Sequence, residues 1–235
     1  TYLQKADAMR RDFVANVSHE MRTPITVLMG FLETMQSLDL DRSQQSQYFE
    51  MMMSQAQRMK SLVEDLLTLA NLEANTLPAP TQEISITTLM ALLKNDAEAL
   101  SQGHHILSFE ISNPNNLMGD EREILSAFGN LVSNAIRYTP DTASIKVQWS
   151  VNERGEGEFS VVDTGPGIAS EHLSRLTERF YRVDRSRSRD TGGTGLGLAI
   201  VKHIANRHQA QLIITSMPGQ GSTFTLRFPK ERISA

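Results

Sequence analysis

Cysteine is missing from all 235 residues, which excludes disulfides, cysteine nucleophiles and thiolate metal sites. The lack fits a reducing compartment. No apolar run reaches the roughly 18 residues that a membrane-crossing helix needs. The opening, Thr1 to Asp7, is polar and helix-prone, unlike a secretory leader. Because it starts without Met and in mid-helix, the chain is expected to be a fragment. An excess of one charge is missing too: the net charge of −4 gives no basis for nucleic acid or an anionic membrane surface as the main partner. What remains, 40% hydrophobic and 21% charged, is ordinary globular composition with enough apolar residues for a packed core. The length suits one large domain or two modest ones.

Proline and glycine are nearly absent from the first third, and a helical repeat fills it. Val14, Val17, Met21, Pro24, Leu28, Phe31 and Met35 alternate in steps of three and four. After the polar break at Ser37 to Ser43, a second stripe runs Tyr48, Met52, Gln55, Met59, Leu62, Leu66 and Leu69. Two amphipathic helices with a short connection make a helical hairpin. Ile25, Leu32, Met51, Val63 and Leu67 widen both stripes beyond what one hairpin can bury. Two hairpins forming a dimeric antiparallel four-helix bundle are therefore expected. Pro78 and Pro80 end the pattern, which predicts a helical domain over 1–74, a linker over 75–82 and a second domain over 83–235.

The second domain mixes periods. Ile84 to Ile86 and Ile106 to Ile111 read as strands, and Thr88 to Gln102 as a helix. Asp120 starts another helix, with Glu123 completing a variant capping box. Ile145 to Val151 with Glu158 to Val162, and Leu212 to Thr215 with Thr223 to Phe228, read as hairpins. A helix is predicted from about Leu196 to His208. Strands outnumber simple strand–helix–strand repeats, so an α/β sandwich with a mixed sheet is expected, not a doubly wound fold.

Several motifs carry chemistry. With Val14 at heptad position a, His19 falls at f, pointing away from the seam. Glu20 is its neighbour, and Thr23 lies one turn on along the same face. A neutral imidazole offers a free ring nitrogen. A carboxylate accepting the other nitrogen's proton makes that free nitrogen a nucleophile. Pro24, just beyond, removes a backbone hydrogen bond and should kink the helix.

Asn130 and Asn134 share one helix face, and amide oxygens suit a magnesium ion that carries phosphates. Arg137 and Tyr138 add a cation and a hydroxyl near that helix's end. Asp163, followed by Gly165, Pro166 and Gly167, ends a strand; such a carboxylate can accept from the exocyclic amine of adenine. Gly193, Thr194, Gly195, Leu196 and Gly197 open a helix whose free amides can cradle phosphate. The cradle lacks the Lys-Ser/Thr of a P-loop and the Rossmann context. Between these motifs, the basic run Arg179 to Asp190 reads as a lid over triphosphate.

Taken in order, SHEMRTP (18–24), NLVSNAIRYT (130–139), DTGPGI (163–168), ERFYRVD (178–184), GGTGLGL (192–198) and GQGSTF (219–224) resemble the boxes of orthodox bacterial two-component sensor histidine kinases. The stretch FVANVSHEMRTPITVLMGFLETM is similar to the phosphate-regulon sensors. The resemblance covers essentially the whole chain and implies a dimerisation and phosphotransfer hairpin followed by a Bergerat-type ATP-binding sandwich. It implies His19 as phosphoacceptor, Glu20 as its base, and Thr23 as the group orienting water when a phosphorylated regulator is hydrolysed. Asn134, supported by Asn130, would hold Mg2+, and Asp163 the adenine amine. Arg137 and Tyr138 would approach phosphates or ribose, and Arg182 the γ-phosphate. Gly165, Gly167, Gly193, Gly195 and Gly197, with Thr194 and Leu196, would shape pocket and hinge.

The implied cofactors are ATP and Mg2+. The implied partners are a second copy through the hairpin and a response-regulator receiver domain, with no nucleic acid and no membrane contact in this fragment. The fragment would be cytoplasmic and its parent anchored in a bacterial inner membrane. Arg137 stands where lysine is common, Thr177 where phenylalanine is, Met21 where leucine is and Ser222 where threonine is; none removes a catalytic group. A gyrase-like ATPase clamp would need no exposed histidine beside Glu20, and a non-catalytic scaffold would need neither Asn134 nor Asp163.

Overall fold

The computed structural model describes residues 2–75, 77–183 and 193–234, with side chains from residue 11 onward. The chain forms two compact units, residues 1–67 and 68–235.

In the first unit, α1 (Tyr2–Ser37) and α2 (Arg42–Ala74) form the expected hairpin. Asp41 starts α2 with a reciprocal box: its Oδ1 accepts from Gln44 N at 2.8 Å, and Gln44 Oε1 accepts from Asp41 N at 3.1 Å. The three–four spacing places one apolar stripe of each helix in the seam. Pro24 and Leu62 are buried there, and Met21, Leu28, Phe31, Tyr48, Met52 and Met59 are half-buried. Phe31 meets Tyr48 edge-on with ring centroids 5.5 Å apart, and Glu20 meets Arg58 at 3.4 Å. Positions stepping back along α1 thus meet positions stepping forward along α2, the register of an antiparallel hairpin. The widening residues Ile25, Leu32, Met51, Val63 and Leu67 stay 40–60% exposed. α1 runs through Pro24 as one element, and the ring nitrogen there has no hydrogen to give the helical ladder.

The second unit runs β1 (Gln82–Ile84), α3 (Ile86–Ser101), β2 (Ile106–Ile111), β3 (Asn116–Gly119), α4 (Glu121–Tyr138), β4 (Ser144–Val151), β5 (Gly157–Asp163), α5 (Ser170–Leu173), α6 (Gly197–Arg207), β6 (Gln211–Met217), β7 (Gly221–Phe228), a 3-10 turn and β8 (Ile233–Ser234). The main sheet has the order β2-β4-β5-β7-β6. Its β2–β4 pair is parallel and the other three pairs are antiparallel, so the sheet is mixed, as expected. A second sheet has the order β1-β3-β8.

The helices α3, α4 and α6 form one layer on the main sheet, with α4 between the other two. Period-two alternation along β4 and β5 aims Ile145, Val147, Trp149, Phe159 and Val161 at that layer, all fully buried. Phe128 of α4 stacks on Phe159 with centroids 3.6 Å apart, and Trp149 and Phe228 close the cluster.

The sequence misplaced one junction. Ile84 to Ile86 is not a strand throughout: Ser85 caps α3, its hydroxyl accepting from Thr88 N at 3.3 Å, so Ile86 is buried in the first helical turn. Two buried polar residues lock this unit. His208 Nε2 accepts from Asp120 N at 3.1 Å while its Nδ1 donates to Ile204 O at 2.9 Å, which requires a neutral ring; burial pushes its pKa down. Arg232 Nη1 donates to the carbonyls of Pro80 at 3.3 Å and Met118 at 3.2 Å.

Candidate active site

The candidate residues fall into two groups, one in each unit. On α1, His19 and Thr23 are exposed along one face, as the heptad position required. Thr23 Oγ1 turns back to donate to the His19 carbonyl at 3.2 Å. Glu20 faces the seam instead, with its carboxylate on Arg58 of α2; their side chains are 26% and 16% exposed. Arg58 escaped the sequence reading, because a cation on a helix flank carries no motif. Its only signal was a position across the hairpin from Glu20.

In the second unit a chain of contacts joins the remaining motifs. Asp120 caps α4, its carboxylate accepting from Glu123 N at 3.0 Å, and the apolar face of α4 is buried. That leaves Asn130 and Asn134 half-buried, one turn apart on one side of the helix. Asn130 Nδ2 donates to Ser126 O at 2.9 Å, so its Oδ1 faces away, toward Gly197 at the start of α6. A Cβ at Gly197 would stand 2.5 Å from that oxygen, so the helix can approach the amide only with glycine there. The first turn of α6 has no side-chain cap, leaving its amides for an anion. Asn134 makes no side-chain hydrogen bond among the described residues.

Asp163 ends β5, 7% exposed, its Oδ1 accepting from Gly165 N at 2.8 Å. Burial raises its pKa above the usual carboxylate value, and the backbone N–H groups of Gly165 and Ser222 partly offset this. A donor from a ligand would complete the solvation that burial removes. Gly165 packs against the methyl group of Thr139, just beyond α4. Gly167 takes φ +69 with the Met217 carbonyl where a Cβ would stand, so only glycine makes this turn. Ser222 and Thr139 are contributors the sequence had placed in motifs without a role.

Beyond α4, the Tyr138 hydroxyl lies against Gly193, and Arg182 donates to the Gly193 carbonyl. Phe180 N donates to Gly195 O at 2.8 Å. The residues on either side of 184–192 are thereby fastened to each other. The lid reading over Arg179 to Asp190 falls from residue 184 on outside the described residues. Thr194 is buried with its Oγ1 accepting from Leu196 N at 3.2 Å, and Leu196 is fully buried. Arg137 is half-buried in the last turn of α4, with no ion pair among the described residues. No cluster of three or more acidic or histidine ligands exists among the described residues, so a metal here would lean on ligand phosphates as well as protein oxygens.

Two family models match the chain in tandem. The His Kinase A (phospho-acceptor) domain covers residues 9–75, and the histidine kinase-, DNA gyrase B- and HSP90-like ATPase covers residues 119–232. The phosphate regulon sensor protein PhoR of Pseudomonas aeruginosa is 48% identical over 100% of this chain and 53% of its own length. The chain thus spans about half the length of the curated relatives it matches. Among solved structures, the Acinetobacter baumannii histidine kinase AdeS is 26% identical with a TM-score of 0.71, covering 90% of this chain and 98% of that one. Full-length ShkA in complex with AMPPNP is 26% identical with a TM-score of 0.68, covering 95% and 46%. No helix among the described residues is long and apolar enough to cross a membrane. With a phospho-acceptor hairpin followed by an ATPase sandwich, the chain belongs to the sensor histidine kinases, in the branch of the phosphate-regulon sensors.

Proposed function

We propose that this chain is the catalytic core of a dimeric kinase that phosphorylates its own His19 from ATP and passes the phosphoryl group to an aspartate of a response-regulator receiver domain. The observation that carries the reading is the exposed His19 beside Glu20, in a chain whose second unit sets Asn130 of α4 against Gly197 of an uncapped α6 and Gly165, beside Asp163, against Thr139 just beyond α4. Residues 1–74 would serve as the phospho-acceptor domain, 75–82 as linker and 83–235 as the nucleotide domain. The exposed Ile25, Leu32, Met51, Val63 and Leu67 support a second copy that completes a four-helix bundle. AMPPNP bound to ShkA supports ATP as the ligand.

Asp163 would accept from the adenine amine, the amides opening α6 would take phosphate oxygens, and Arg182, Arg137 and Tyr138 would approach the phosphates or ribose. The donor set fits a magnesium ion: Asn134 would hold it with Asn130 in support, and the ion would neutralise phosphate charge. At His19, a ring nitrogen forms the N–P bond as the bond from the γ-phosphorus to the β–γ bridging oxygen breaks. ADP leaves, and Glu20 takes the proton of the other ring nitrogen. In the reverse duty, Thr23 would orient the water that hydrolyses the phosphorylated regulator. We further infer that this core lies in the cytoplasm, in a parent protein anchored in a bacterial inner membrane; a parent that fractionates into the soluble pool overturns this.

Incubation with γ-labelled ATP and magnesium tests the main claim. Acid-labile, base-stable label is expected on the chain and should vanish in His19→Gln with the dimer intact. Acid-stable label, or label that survives the substitution, overturns the reading.

A further inference from the structure

We propose that Arg58, on the helix opposite the histidine motif, is the positioning residue for Glu20 in the phosphorylation of His19; the inference rests on the kinase reading above. The whole histidine motif lies on α1, yet the side chain that fixes Glu20 comes from α2, 38 positions away. Arg58 Nη2 stands 3.4 Å from Glu20 Oε2, and both side chains are largely sheltered, at 16% and 26% exposure. The pair Lys60–Glu64 on the same helix is 65% and 61% exposed at 3.8 Å, the kind of contact that solvent screens to near nothing. The hairpin register brings Arg58 to this height, as the Phe31–Tyr48 contact nearer the connection shows independently. Both members sit one position before a seam residue, Met21 and Met59, so hairpin packing fixes where each side chain starts.

Two physical needs meet here. Neighbouring residues on a helix point about 100° apart, so a carboxylate directly after His19 reaches the imidazole from few of its rotamers. A guanidinium, whose planar fork is preorganised, removes that freedom, and a carboxylate has lone pairs enough to meet both the guanidinium and an imidazole proton. The second need is charge. An uncompensated carboxylate beside His19 would repel the incoming γ-phosphate, and Arg58 leaves the pair neutral. Misplacing a catalytic group by about 1 Å costs about 100-fold, so positioning dominates.

The test is a double-mutant cycle on the intact chain, following the initial rate of His19 labelling. Arg58→Met, which keeps the apolar stem, is expected to lower kcat about tenfold with KM for ATP unchanged, since the nucleotide residues lie in the other unit. Arg58→Lys should recover most of the rate. In a Glu20→Gln background, Arg58→Met should change the rate no further, because Arg58 acts through Glu20. Wild-type rates in Arg58→Met, or the same tenfold loss in the Glu20→Gln background, overturn the proposal, the latter by revealing a merely structural role. Should Arg58→Met lose its dimer mass, the comparison of Arg58→Lys with Arg58→Gln decides on the same terms. A wild-type chain that takes no label at His19 sinks the kinase reading itself, an outcome visible before any Arg58 variant is measured.

Discussion

Gly197→Ala separates stability from nucleotide chemistry at a single atom. The added Cβ would stand 2.5 Å from Asn130 Oδ1 and 3.4 Å from its Cγ, with no other close approach within 3.8 Å. Gly197 has no left-handed φ, so alanine meets no backbone strain there and gains about 0.5–1 kcal/mol of helix preference over glycine. The clash must be relieved by rotating the Asn130 amide away, which gives up its 2.9 Å bond to Ser126 O. A lost hydrogen bond of this kind costs about 0.5–1.5 kcal/mol net. The two contributions nearly cancel, so the melting temperature should move by no more than a few degrees.

Nucleotide binding should not be so forgiving. If Asn130 supports the magnesium held at Asn134, displacing its oxygen should weaken Mg-ATP by about 10–100-fold, the usual effect of disturbing an outer coordination sphere. Binding of ATP in the presence of a chelator should change far less, because Asp163 and the α6 amides are untouched. Calorimetric titration with and without magnesium measures both, and Trp149, the only tryptophan and fully buried, reports unfolding by fluorescence. Unchanged Mg-ATP affinity in a folded Gly197→Ala protein would refute the metal role for the asparagine face. Equal losses with and without magnesium would mean that the substitution damages the phosphate cradle instead.

Asp163→Asn should weaken ATP about tenfold or more by removing a carboxylate acceptor, while the melting temperature holds or rises, because the buried charge is already disfavoured. Calorimetry giving the wild-type affinity would remove Asp163 from adenine recognition. Thr23→Ala should keep His19 labelling and slow the decay of phosphorylated regulator; a loss of labelling as complete as in His19→Gln would contradict that division of labour. For His208, burial lowers the folded pKa below the ordinary value of about 6.5, so its stabilising contribution is complete above that pH and is lost as pH falls below it. His203 shifts in the same direction, so the melting temperature should fall from about pH 7.5 to about pH 5.5; a flat or rising profile would refute the linkage.

What the sequence could reveal depended on whether a signal was local. The α1 stripe and the hairpin β4–β5 are periodic patterns within short windows, and the structure matches them to within a residue or two. Strand β3 and the two residues of β8 carry no periodicity; they exist because β3 pairs with both β1 and β8, partners far apart in the chain. Ile84-Ser85-Ile86 looks like alternation, but the serine hydroxyl found a helical amide, and capping chemistry outweighed β propensity. The site divides the same way. Asn130, Asp163 and Gly197 could be named because each belongs to a motif, whereas the contact of Gly197 with Asn130 could not, since it exists only after α4 and α6 have packed. Arg58 is the limiting case. Its chemistry exists only as a cross-hairpin distance, and no inspection of α2 alone separates it from an ordinary helical cation.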